Sequence, residues 1–221
     1  MKITIIGATG NLGSRVTRLA ASAGHEVVAF ASRPEAVPAL AGVRTEAGSA
    51  EEVEALAAAA DGADLVLVSI TGKISDTTFM QDRMPGIITA AKRAGVPRLV
   101  LVSVFGAGDT RDKASGIAQL VYRTALSRFL ADKAAADELL RASGLEWTIL
   151  YPVNLKDAPS LGEAAALLPL DEVERVPGLP TLPMDDAAAA ILRAIERPDS
   201  VNARLLITTP KEFRRTRSAQ G

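Results

Sequence analysis

Residues 7 to 13 read GATGNLG and follow directly on the run KITII, which places Gly7, Gly10 and Gly13 at steps of three. Glycines so spaced between a strand and a helix suit a turn that carries backbone amides up to a phosphate. Gly7 permits the tight turn out of the strand, Gly10 lets the backbone approach a pyrophosphate, and Gly13 lets the next helix pack closely on the sheet. Thr9, Asn11 and Leu12 fill the loop between them. Helix N-terminal amides then face the anion, where their partial positive charge favours it. No Gly-Lys-Ser/Thr follows, which excludes a P-loop, and the expected cargo is a dinucleotide.

The end of the second predicted strand selects among dinucleotides. An NAD site usually places Asp or Glu there to accept the ribose hydroxyls; this chain reads Phe30-Ala31-Ser32-Arg33. Arg33 is expected to pair with a 2′-phosphate and stack on adenine while Ser32 donates a hydrogen bond, so that NADP(H) is preferred. Gly48 and Ser49, after the third strand, are expected to flank the adenine, and Ser69, Ile70 and Thr71, after the fourth, to border the riboses.

These residues need a scaffold, and the pattern supplies one. Strands are predicted at Ile3 to Ile6, Glu26 to Ala31, Val43 to Glu46, Leu65 to Ser69, Arg98 to Ser103, Trp147 to Tyr151 and Arg204 to Thr208. Helices are predicted between them at about 11–23, 50–60, 75–94, 114–142, broken near Ser127, and 185–196. LVLVS occurs twice, at 65–69 and 99–103, and such unbroken apolar strands belong inside a parallel sheet covered on both faces. The expected fold is a doubly wound parallel α/β sheet with its ligand at the carboxyl ends of the strands. Residues 1–210 form a single domain, with residues 154–183, which hold five of the twelve prolines, read as a loop-rich substrate-side segment covering the pocket. Arg204 to Thr208 is expected to close the sheet, and residues 211–221, which include KEFRRTRS, to form a solvated basic tail.

Composition narrows the partners. The 221 residues carry 25 Lys and Arg against 26 Asp and Glu, a balance that calls for neither nucleic acid nor an anionic membrane surface. With no cysteine, thiolate catalysis and zinc-thiolate sites drop out. No apolar run of about 18 residues occurs and the N-terminus begins a strand, so a cytoplasmic protein is expected. His25 reads as a solvent-exposed turn residue, Asp185 and Asp186 as helix caps rather than a metal pair, Met80 and Met84 as core, and Trp147 as the locally packed start of a strand.

GATGNLG, the Ser-Arg after the second strand, LVSV at 101–104 and DKAAADELLRASGLEWTILYP at 132–152 together resemble the atypical short-chain dehydrogenase/reductases. The resemblance is to the NmrA-like NAD(P)-binding proteins and the biliverdin-IXβ/flavin reductases, extends over roughly residues 1–210, and implies a Rossmann fold. It also implies a site. The family's common members use a Ser, a Tyr that donates a proton, and a Lys four residues after the Tyr. Ser103 and Lys133 stand where the Ser and Lys belong, but Phe129 occupies the position of the Tyr. Tyr122 lies 11 residues before Lys133 and reads as a packed helix aromatic.

Without that acid, reduction of an unactivated ketone is implausible, because a developing alkoxide needs stabilising. A conjugated acceptor of the flavin, quinone or tetrapyrrole type spreads the charge itself, with the proton supplied by solvent or through Ser103. The resemblance to the biliverdin/flavin reductases implies such a small planar acceptor. Tyr151, Pro152 and Val153 are expected beside the nicotinamide. Tyr151, where many relatives have Arg, reads equally as a stacking wall for a planar substrate or as a space filler. A non-catalytic NADP(H)-sensing or partner-binding protein, as some NmrA-like relatives are, is the alternative that Phe129 leaves open, and oligomeric state is not legible.

Overall fold

The computed structural model describes residues 1–216. Five parallel strands, β1 (Lys2–Ile6), β2 (Glu26–Ala31), β3 (Val43–Ala47), β4 (Leu65–Val68) and β5 (Arg98–Val102), are continued by β6 (Glu146–Pro152). The sheet runs on through β11 (Ala203–Thr208) to β8 (Ala166–Pro169) in the order β3-β2-β1-β4-β5-β6-β11-β8, and only the last pairing is antiparallel. Strands β4 and β5 are buried at every residue, as their unbroken apolar runs require. Helices α2 (Val53–Ala59), α3 (Phe79–Arg93) and α5 (Ser127–Arg141) pack in series, as do α1 (Gly13–Ser22) and α6 (Met184–Glu196). The order reverses between β1 and β4, and a doubly wound sheet opens a ligand crevice at such a reversal.

The predicted helix 114–142 is two helices, α4 (Gly116–Thr124) and α5, with the break at Ala125 and Leu126 beside the expected Ser127. Ser115 caps α4 by accepting a hydrogen bond from the amide of Ala118 at 3.2 Å. The N-terminus of α3 is capped from a distance: the buried Asp132 carboxylate, on α5, accepts from the amides of Met80 at 3.0 Å and Gln81 at 3.0 Å. That bond ties the helix carrying the candidate lysine to the helix that borders the crevice.

The C-terminal third differs from expectation in four places. Residues 154–183 contain β7 (Asn154–Lys156), β8, β9 (Val173–Arg175) and β10 (Thr181–Pro183). The sheet therefore ends on β8, with Arg204 to Thr208 one strand inside the edge. Leu168 of β8 is buried, which is what an added edge strand gains. Of the expected basic tail, Arg214–Arg215 form β12, which pairs with β9, and Arg215 bonds Glu172 at 3.0 Å; residues 217–221 lie outside the described residues. Asp186 does not cap α6; its carboxylate accepts from the amide of Leu161 at 2.9 Å and from the hydroxyl of Ser160, while Asp185 pairs with Arg15 at 2.8 Å. His25 is half-buried and lies 3.0 Å from Glu196, so it is a packed turn residue rather than a solvated one.

Candidate functional site

Each of the six strands β1 to β6 places the residue that follows it at one cleft: Gly7, Ser32, Gly48, Ser69, Ser103 and Val153. The cleft holds about 760 Å³, within the range of small-molecule and cofactor sites. Its phosphate end is built by exclusion of side chains. Gly7 has φ +87°, and a Cβ there would stand 2.3 Å from the Ser69 carbonyl oxygen; one on Gly13 would stand 2.2 Å from the carbonyl oxygen of Gly7. The turn, the strand end and the first helix are thus in backbone contact, and the amide of Gly10 donates to Gly7 at 2.9 Å. Thr9, Gly10, Asn11 and Leu12 line the cleft, whereas Gly13 lies behind it as a packing residue. A loop of this shape at the start of α1 fits a pyrophosphate.

Ser49, Ile70 and Thr71 also line the cleft. Arg33 is exposed and stands beyond the lining, and no ion pair involving it occurs among the described residues. A second arginine, which sequence reasoning missed, does line it: Arg83 on α3, paired with Glu51 and stacked with its guanidinium 3.8 Å from the centre of the Phe79 ring. Being held by Glu51, it brings little uncompensated charge.

At the opposite end, Ser103, Phe129 and Lys133 meet. The break before α5 allows this, because residues 129 and 133, four apart, present one face of a single helix to the end of β5. The Lys133 ammonium donates to the Ile70 carbonyl at 3.1 Å and lies 5.8 Å from the centre of the Phe129 ring. Burial lowers its pKa from the ordinary 10.5 to about 8, against the Asp132 and Asp137 carboxylates, which raise it. Val102, Val104, Leu155 and Met184 give this end apolar walls, and among the described residues no tyrosine lines the cleft. Tyr122 is half-buried, packed where a Cβ on Gly106 would meet its ring at 2.9 Å.

Tyr151 takes the space-filling one of its two readings and does not stand beside the cleft. Pro152 and Val153 line the cleft but Tyr151 does not, and its side chain is 2% exposed, so it is neither a stacking wall nor a cofactor contact. Its hydroxyl donates to Asp137 Oδ2 at 2.9 Å and accepts from Arg204 Nε at 3.3 Å, while Arg204 forms a two-pronged pair with Asp109. Burial, followed by the charge of Asp137, pushes the Tyr151 pKa up. Asp137 itself is pushed up to about 7 by burial, with the hydroxyls of Ser103 and Tyr151 and the charges of Lys133 and Arg204 pulling the other way. Ser103 Oγ and Asp137 Oδ1 are both buried without a hydrogen-bond partner among the described residues. The Ser103 hydroxyl acts on the Asp137 pKa from close by without meeting hydrogen-bond geometry. Asp137 was detectable: Phe129, Lys133 and Asp137 are spaced by four, which stacks them along one helix face.

Comparison with known proteins agrees with this geometry. A family model described as NAD(P)H-binding matches residues 7–198. A Bacillus subtilis protein called an uncharacterized sugar epimerase is 28% identical over 214 residues, 91% of each chain. The NAD(P)H azoreductase of Xenophilus azovorans is 28% identical over 218 residues, 95% of this chain and 68% of that one. Among solved structures, an anaerobilin reductase from Escherichia coli O157:H7 superposes with a TM-score of 0.73 at 23% identity, covering 96% of this chain and 98% of that chain. A Veillonella parvula short-chain dehydrogenase/reductase in complex with NADP gives 0.78 at 18% identity, covering 96% of each. With the glycine cradle, the strand order and the matched residues in accord, the chain belongs to the NAD(P)H-binding family.

Proposed function

We propose that the protein is an NADPH-dependent reductase of a small planar, conjugated acceptor. The observation that carries this reading is the cleft's inner end, where Phe129 stands one helical turn from Lys133 and Ser103, just past β5, contributes a hydroxyl. A site with an apolar slot and no phenol favours acceptors that delocalise incoming charge over ketones that need an acid. The similarity to an azoreductase and to an anaerobilin reductase supports the same class. A bound nicotinamide supplies the hydride. Gly7 and Gly10 would hold the dinucleotide's pyrophosphate, Lys133 has two ammonium protons left after Ile70 with which it would hold ribose hydroxyls, and Val153 and Leu155 would keep water from the transfer. The test is NADPH oxidation against a panel of flavins, quinones, azo dyes and linear tetrapyrroles. We expect saturable turnover with at least one; tight NADPH binding with none reduced would contradict the reading and favour a cofactor sensor.

Arg33 is proposed to select the phosphate. It is exposed beside Ser32 at the end of β2 and has no ion-pair partner among the described residues, and a charge-assisted bond to a 2′-phosphate contributes about 1.5–3 kcal/mol. Arg33→Ala is therefore expected to weaken NADPH binding roughly tenfold or more and leave NADH unchanged, as read by fluorescence titration. Equal losses for both cofactors would remove Arg33 from this role.

A further inference from the structure

Behind the cleft lies a buried polar group that the reductase reading leaves without a task. Asp137 is 4% exposed, yet one carboxylate oxygen makes no hydrogen bond among the described residues. A buried, unpartnered polar atom costs on the order of 1–3 kcal/mol, and a catalytic role is one of the few reasons a native structure keeps one. The amide of Ser103 donates to the Leu150 carbonyl at 2.9 Å, which sets Ser103 across from Tyr151, the residue bonded to Asp137 at 2.9 Å; its unpaired hydroxyl influences that carboxylate, and Ser103 is also a wall of the cleft. Every charged or titratable group that influences Asp137 can be named: Lys133 on its own helix, Tyr151 on β6 and Arg204 on β11. Tyr151 already donates to the other carboxylate oxygen and Arg204 is held by Tyr151 and Asp109, which leaves Ser103 as the outlet toward the cleft.

We propose that Asp137 stores the proton of the reaction and passes it to the acceptor through the Ser103 hydroxyl. This rests on the reductase reading and supplies what Phe129 lacks. The acceptor gains a hydride and one proton: its atom beside Ser103 takes the Oγ proton, Oγ takes the proton of Asp137, and the Asp137 carboxylate remains, facing the Lys133 ammonium. After product leaves, water entering the cleft returns a proton to Asp137 by the same hydroxyl in reverse. The role fits the burial that pushes the Asp137 carboxyl up to about 7, near the operating pH, where a proton donor is most effective. Asp137 acts through Ser103 and touches no reacting atom, so it positions and stocks the proton rather than performing the transfer itself.

Two variants and two readouts test this. In protein without acceptor, carbon-13 NMR of the aspartate carboxyls is expected to show one group titrating near 7, absent in Asp137→Asn. Tyr151→Phe removes a hydroxyl that favours the charged carboxylate, so this titration should move up by about one pH unit. With an acceptor that the wild type reduces, kcat should fall as pH rises through the same value. That limb should move upward in Tyr151→Phe, and Asp137→Asn should lower kcat about a hundredfold with KM for NADPH little changed. A carboxyl that titrates in the ordinary aspartate range, or a limb unmoved in Tyr151→Phe, would overturn the relay while leaving the reductase standing. A wild type that reduces no acceptor would overturn the reductase reading and the relay with it.

Discussion

Gly7→Ala is expected to lower the melting temperature by about 10 °C and to abolish dinucleotide binding. Gly7 has φ +87°, and an added Cβ would lie 2.3 Å from the Ser69 carbonyl oxygen, 2.9 Å from its carbon and 2.8 Å from Ile70 Cγ2. Two of those three neighbours are backbone at the end of β4 and cannot rotate away. The left-handed conformation costs about 1–2 kcal/mol for an alanine, and overpacking adds about 1–3 kcal/mol. Moving Ser69 would in turn displace a cleft wall, which is why binding is lost along with stability. Gly24→Ala is the control: its φ is +84° but nothing lies within 4 Å of a Cβ there, so it should cost only about 1 kcal/mol and leave binding intact. Differential scanning calorimetry and NADPH titration of both variants decide the matter, and equal effects would contradict the backbone-contact account.

Lys133→Met is expected to reduce turnover by about a hundredfold or more while leaving the fold intact, since an apolar side chain of similar length replaces a residue that is only 3% exposed. The variant should also alter two pH dependences, and their signs follow from the lowered pKa. Folding moves Lys133 from 10.5 to about 8, so between those values the unfolded chain binds more protons than the folded one. Stability contributed by this residue therefore rises with pH across that window. Activity that needs the ammonium runs the opposite way and is lost as pH rises through about 8. Both trends should vanish in Lys133→Met, as followed by chemical denaturation and by kcat across pH. Asp137 contributes in the other direction. Its pKa is raised from 3.8 to about 7, so its contribution is fully present below the lower value and is lost as pH rises through the upper one.

Period and punctuation made most of the sheet and the inner site readable. The break before Ser127 mattered most, because it sets the register that brings Phe129 and Lys133 to Ser103. What stayed hidden depended on which way a side chain points. Tyr151 and Pro152 are adjacent in β6, and neighbours on a strand face opposite sides, so a one-residue question sent the tyrosine into the core and the proline to the cleft. Nothing in composition discriminates those two outcomes. The antiparallel β8 was equally obscure, being four residues, ALLP, inside a proline-rich segment. Its partner β11 selects it through long-range pairing that no local pattern records. Asp186 shows a third kind of limit: acidic residues at a helix start suit a cap, but the Leu161 amide competes for the same carboxylate and wins.

The central claim is that the inner cleft carries hydride from NADPH to a conjugated acceptor beside Ser103, Phe129 and Lys133. Single-turnover reduction with NADPH deuterated at nicotinamide C4, using the acceptor turned over fastest in the panel, tests it most directly. The account predicts a primary isotope effect on the fast phase and a fast phase slowed at least tenfold in Ser103→Ala. A fast phase indifferent to both the label and Ser103→Ala would contradict it.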